Sequence, residues 1–153
     1  MHRTTPRIAL VLVYAAACTG CSLFPDVWHA GVPVAYRSVA VVTGARGSLH
    51  EYAGLYYSLQ NVSTKRIIRM EIAFELYDSA DRPLPGPGAN GFRLTLDSSI
   101  EPGATGSYCT SLDSVVSEQT DAITAARFRV RTAVFEDGSR WRNTGGHVYR
   151  EEP

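Results

Sequence analysis

Lysine is almost missing from this chain. Of its 15 basic residues only Lys65 is a lysine, so 14 are arginine, and 15 carboxylates bring the formal charge to zero. A neutral chain gives no argument for nucleic acid or for an anionic surface as a partner. Histidine is scarce too, with His2, His29, His50 and His147 scattered along the chain. No two stand at ligand spacing, and none lies beside a cysteine or a carboxylate pair, so neither a zinc centre nor a nucleophile–base triad is supported. A Gly-x-Gly-x-x-Gly turn and a phosphate-binding loop are both missing. Together these absences predict a protein that is not an enzyme and that has no metal site and no cofactor. Long apolar runs are also lacking: Ile8–Ala17 is too short to span a bilayer.

What that short run does have is the context of an export signal. Arg3 and Arg7 precede it, and the small residues Ala15-Ala16-Ala17-Cys18-Thr19-Gly20-Cys21 follow. A cysteine directly after small residues at this place resembles the bacterial lipobox, in which the thiol is acylated and the chain is cut just before it. The Gly20–Cys21 pair favours Cys21 as the lipidated residue, with Cys18 after Ala15–Ala17 as the alternative. Cutting before Cys21 removes 20 of the 153 residues and leaves a formal charge of −2. The resemblance implies a partner, the lipid bilayer, reached through the acylated cysteine (palmitate among its acyl groups). It also implies a place in the cell envelope. Ser22, in place of an aspartate, leans toward the outer membrane, on its periplasmic side or at the surface. Residues 21–34, with Pro25 and Pro33 and no periodicity, read as a tether carrying Trp28.

A hydrophobic fraction of 44% is ordinary for a globular chain, and this length predicts one domain over residues 35–145. Its clearest element is Ile67–Asp78, where Ile68, Met70, Ile72, Phe74 and Leu76 alternate with Arg69, Glu71 and Glu75. A period of two over that length predicts a strand with one face in the core. Tyr36–Thr43, Tyr52–Leu59, Phe92–Leu96 and Ala104–Thr110 read as further strands between turn-forming segments. Ile123–Glu136 is another, with Phe128, Val130, Thr132 and Val134 expected inside and Arg127, Arg129 and Arg131 outside. Asp137-Gly138 predicts a two-residue hairpin turn that pairs Glu136 with Ser139, Phe135 with Arg140 and Val134 with Trp141. Trp141 then joins the core, and Arg140 and Arg142 join the arginine face. Leu112–Ala122 reads as a short helical crossing between layers, and 146–153 as a polar, frayed tail. The sum is an all-β chain, an immunoglobulin-like antiparallel β-sandwich of about seven strands preceded by a signal peptide.

The strand's own ending carries a resemblance. Phe74-Glu75-Leu76-Tyr77-Asp78 is similar to the motif that names the FxLYD domain, a small sandwich module of bacterial exported proteins and lipoproteins. Asn61 and Ser63 before the strand, Asp78–Asp81 after it, and Glu101-Pro102-Gly103 fit the same pattern, over about Tyr52 to Phe135. The family resemblance implies location and a binding or assembly role, and it implies no catalytic residues.

The candidate binding residues are Arg127, Arg129, Arg131, Arg140 and Arg142. On adjacent strands these five would outnumber Glu71 and Glu75. Cross-strand pairing therefore leaves guanidinium groups for an anionic partner such as a glycan, a phosphate-bearing lipid or an acidic protein surface. The alternative is a solvated face of arginine–glutamate pairs. Tyr52, Tyr56, Tyr57, Tyr77 and Tyr108 read as half-buried sheet residues rather than an aromatic patch, and Cys109 as a small buried residue. Asn61-Val62-Ser63 matches a glycosylation sequon that has little meaning behind a bacterial export signal. The expected function is a membrane-anchored, non-catalytic binding or assembly module with an envelope protein as partner. The alternative is a surface adhesin or ligand-binding lipoprotein that recognises an anionic or glycan partner. Nucleic acid is not expected as a partner.

Overall fold

The structure is a computed structural model that describes residues 31–44, 49–87, 91–116 and 122–149. Cys18, Cys21, Trp28, His29 and the export signal lie outside the described residues, as does the second half of the expected helical crossing. Seven strands follow in chain order: β1 (Val34–Thr43), β2 (Ala53–Asn61), β3 (Ile67–Tyr77), β4 (Phe92–Ile100), β5 (Thr105–Ser111), β6 (Thr124–Phe135) and β7 (Arg140–Arg142). They form a three-stranded sheet, β1-β2-β5, and a four-stranded sheet, β4-β3-β6-β7, with every pairing antiparallel. That is an immunoglobulin-like β-sandwich in which β4 pairs with β3 rather than with β5.

Alternation along β3 decides the packing. Met70, Ile72, Phe74 and Leu76 are all buried, and β3 sits between β4 and β6 at the centre of its sheet. Phe128 of β6 is the hub, with its ring 5.1 Å from Tyr57, 6.0 Å from Tyr36 and 6.4 Å from Phe74. Tyr57 comes from the opposite sheet, so these ring contacts join the layers.

In the four-stranded sheet three bulges change which residues point inward. At the start of β3 the register shifts between Ile67 and Arg69, so Ile67 is fully buried and Ile68 is 41% exposed, against the expectation for Ile68. On β6, Glu71 faces Thr132 while Ile72 faces Val130, which leaves Arg131 as an extra residue. A bulge residue reverses the parity of everything beyond it. Ala133 and Phe135 therefore take the core positions expected of Thr132 and Val134. A third shift lies opposite Ala73 and Glu75, where Arg127 adopts a φ of 51°. Positive φ is uncommon for a side-chain-bearing residue, and it fits the first position of a bulge.

The hairpin after β6 differs from expectation by one residue. Phe135 N–H donates to Ser139 O at 3.0 Å and Gly138 N–H donates to Phe135 O at 2.9 Å, which encloses the three-residue loop 136–138 with Gly138 at φ 80°. The third loop position is the one that needs a left-handed residue, and Gly138 occupies it without a Cβ penalty. Trp141 consequently faces Ala133, not Val134, and Arg140 faces Val134. The two departures offset each other. The bulge turns Ala133 inward and the longer loop brings Trp141 opposite it, so Trp141 still packs on the core.

No helix occurs among the described residues; Leu112–Val116 makes one turn, with Val116 N–H donating to Leu112 O at 3.1 Å. The segment expected to fray is pinned through residue 149. Asn143 and His147 exchange hydrogen bonds of 2.7 and 2.9 Å, and Tyr149 N–H donates to Phe128 O at 2.7 Å.

Candidate functional site: the outer face of the four-stranded sheet

Register places the outward residues of this sheet in rows. One row runs Arg93–Ala73–Arg129, the next Thr95–Glu71–Thr132–Arg142, and the next Asp97–Arg69–Val134–Arg140. Of the two bulge arginines on β6, Arg127 lies beyond the first row and Arg131 between the first and second. All five predicted arginines therefore lie on one sheet, on β6 and β7. Arg93 and Asp97 of β4 belong to the same face and were not among the candidates. Their alternation with Phe92 and Leu94 was visible in the sequence, but their neighbours were not, because β4 is placed beside β3 only by the sheet order.

Pairing on this face is incomplete. Arg131 Nη1 lies 3.3 Å from Glu71 Oε1 and Arg127 Nη1 lies 3.2 Å from Glu75 Oε1. Arg69 is paired with Asp97. These ion pairs are partly exposed, and each contributes below about 1 kcal/mol. Arg129 donates to the Arg127 carbonyl oxygen at 3.2 Å and, with Arg93, Arg140 and Arg142, has no carboxylate partner among the described residues. Seven arginines against three carboxylates give the face a net charge of +4, while the remaining described residues carry −3. Only the fold creates that asymmetry.

The motif residues have structural roles. Phe74 and Leu76 are buried, whereas Glu75 accepts a hydrogen bond from Tyr77 Oη at 2.7 Å. That hydrogen bond, with burial and the Glu75 charge behind it, raises the Tyr77 phenol above its usual range. Asp78 closes the following turn by accepting from Arg82 N and Ala80 N, both at 2.9 Å. Its carboxyl is held below the ordinary range chiefly by the Arg82 N–H and side chain. Asn61 is fully buried, donating from Nδ2 to Lys65 O and Ile100 O at 2.8 Å and accepting from Ser63. The sequon asparagine thus has an internal structural use.

The tyrosines divide between the layers and form no common patch. Tyr57 and Tyr108 pack inside as a tilted pair with ring centroids 5.5 Å apart, Tyr56 meets His50 on the outside of the three-stranded sheet, and Tyr77 lies at the end of β3. Tyr36 crosses from β1 to accept a hydrogen bond from Val130 N–H at 2.9 Å, and burial raises its phenol. Cys109 is half-buried rather than buried, because it stands opposite Tyr56 on the outward row of an edge strand. A shallow cleft of about 420 Å³ opens where the chain enters the fold, lined by Val32, Pro33, Val62, Lys65, Phe135 and Trp141. Three separate segments build it, so no local signal announced it.

No family model matches the chain, and no curated protein matches it. Among solved structures it is similar to a hypothetical protein from Peptoclostridium difficile 630, at 14% identity, covering 74% of this chain and 88% of that one, with a TM-score of 0.49.

Proposed function

We propose that this protein is an FxLYD-like envelope lipoprotein, anchored through acylated Cys21, whose sandwich is a non-catalytic binding or assembly module. The contact surface is the outer face of the four-stranded sheet. One observation carries the reading: Arg129, Arg140 and Arg142 share a face of net charge +4 and lack carboxylate partners among the described residues. Guanidinium groups held by a sheet, without a carboxylate among the described residues, suit bidentate recognition of carboxylate or phosphate. A surface evolved only for solubility would alternate both signs more evenly.

The test is affinity capture from envelope extracts with the wild type and with Arg129→Glu/Arg140→Glu/Arg142→Glu. Specific partners should be lost from the variant at low salt. Equal capture by both proteins would remove the arginine face from the proposal. Labelled palmitate should enter the wild type and not Cys21→Ser; labelling of Cys21→Ser would move the anchor to Cys18. Protease treatment of whole cells separates a protected periplasmic subunit from a surface adhesin.

A further inference from the structure

We infer that the arginines without a carboxylate partner among the described residues form a track for an extended acidic polysaccharide, a deepening that rests on the binding-module reading above. Arg93 and Arg129 bracket Ala73 in one row, Arg142 stands in the next row on β7, and Arg140 in the row beyond. Standard sheet spacings put about 10 Å between the first two, about 8 Å from Arg129 to Arg142, and about 7 Å from Arg142 to Arg140. The path runs straight across from the edge strand β4 to β6, steps diagonally to the edge strand β7 and then turns along it.

Five features select the ligand. The charges are spaced as separate contacts rather than gathered at one point, which suits an anion repeated along a polymer better than a single ion. Ala73, although on the outward row, is 3% exposed, so neighbouring side chains close over it and leave no deep pocket for a compact ligand. The exposed Thr95 lies one row from Arg93 and places a hydroxyl beside the track, where it can hydrogen-bond sugar hydroxyls. The four arginine positions are separated by Ala73, Glu71 and Thr132 rather than by aromatic rings, so successive nucleobases would have no stacking platform. The paired arginines, Arg69, Arg127 and Arg131, keep Asp97, Glu75 and Glu71 neutralised beside the track and limit their repulsion of the ligand.

The experiment uses the full chain in a neutral detergent and polygalacturonate of about ten sugar units, with galacturonic acid monomer and single-stranded DNA as competitors. The polymer should bind, the monomer should fail to compete at equal carboxylate concentration, and DNA should compete poorly. Affinity should fall by roughly one to two orders of magnitude between 50 and 200 mM salt, as expected for about four released counterions. Arg93→Gln/Arg129→Gln/Arg142→Gln should weaken binding about tenfold or more with an unchanged melting temperature, and Arg37→Gln on the other sheet should leave it unaltered. Equal binding of the monomer, equal competition by DNA, or indifference to the triple variant would each overturn the track. Failure of the polymer to bind, with protein partners still captured through the same arginines, would overturn the inference and leave the binding module standing. Loss of both would remove the binding face altogether.

Discussion

The two outer faces of the sandwich share a strand period and differ in nearly everything else. On the three-stranded sheet the outward rows are Ser38–Ser58–Ser107, Ala40–Tyr56–Cys109 and Val42–Gly54–Ser111. Tyr56 apart, these residues are small, and all are uncharged, with the Ser58 and Ser107 hydroxyls 2.9 Å apart. The four-stranded sheet carries long, charged side chains in the corresponding places. Inside, both sheets contribute the same kinds of residue to one core. Inward positions are constrained by packing on both layers, whereas outward positions answer only to solvent and partners. The contrast therefore separates what holds the fold from what the fold presents.

The largest disturbance should come from the shared core. Phe128→Ala removes the ring that touches Tyr36, Tyr57 and Phe74, and it should cost about 3–5 kcal/mol in denaturant unfolding. Because both sheets lean on it, probes on the two faces should unfold together; separate transitions would show that the sheets are independently stable.

Gly54→Ala tests the small-residue face alone. A Cβ there would lie 2.5 Å from His50 Nδ1, so His50 must leave its buried place beside Tyr56. Overpacking of this kind costs about 1–3 kcal/mol. Polyanion binding on the other face should be untouched, and a simultaneous loss there would show the faces to be coupled.

Acid should next separate two carboxylates, one near each sheet. Asp113 accepts from Glu51 N–H and Tyr52 N–H at 2.8 Å, with further bonds from the Ser111 hydroxyl and Ala53 N–H, and these hold its carboxyl well below the usual range. Asp137 is likewise depressed, first by Lys65 and then by Ser139. A depressed folded pKa contributes stability that is complete above the unfolded value of about 3.9 and is lost as pH falls through the folded value. Urea midpoints should therefore fall below about pH 4, and the gap between wild type and Asp113→Asn should shrink there. Salt should weaken the Asp137 contribution more, since an exposed ion pair is screened. A gap independent of pH would refute the role given to Asp113.

The smallest effect belongs to the charged face. Glu71→Gln breaks the 3.3 Å pair with Arg131 and should cost below about 1 kcal/mol. It should strengthen polyanion binding by removing a negative charge, and weaker binding would mean that Glu71 positions the track.

Much of this was readable along the chain. Alternation in β3 and β4, the Pro- and Gly-containing segments, and Asp137-Gly138 located strands and turns, because those signals are local. Local signals could not locate Ile67 inside and Ile68 outside, nor the parity change at Arg131. A bulge is an extra residue relative to a partner strand, and the partner lies far off in sequence. Arg93 joined the site only through sheet order, and Tyr149 was pinned only through its bond to Phe128 O.

By itself the sequence determined an all-β sandwich, its central strand and an excess of arginine over lysine, since composition and period two are properties of the chain. Tertiary structure alone decided which arginines meet carboxylates among the described residues and which do not. An ion pair depends on cross-strand register, and register here is set by three bulges that no stretch of sequence contains by itself.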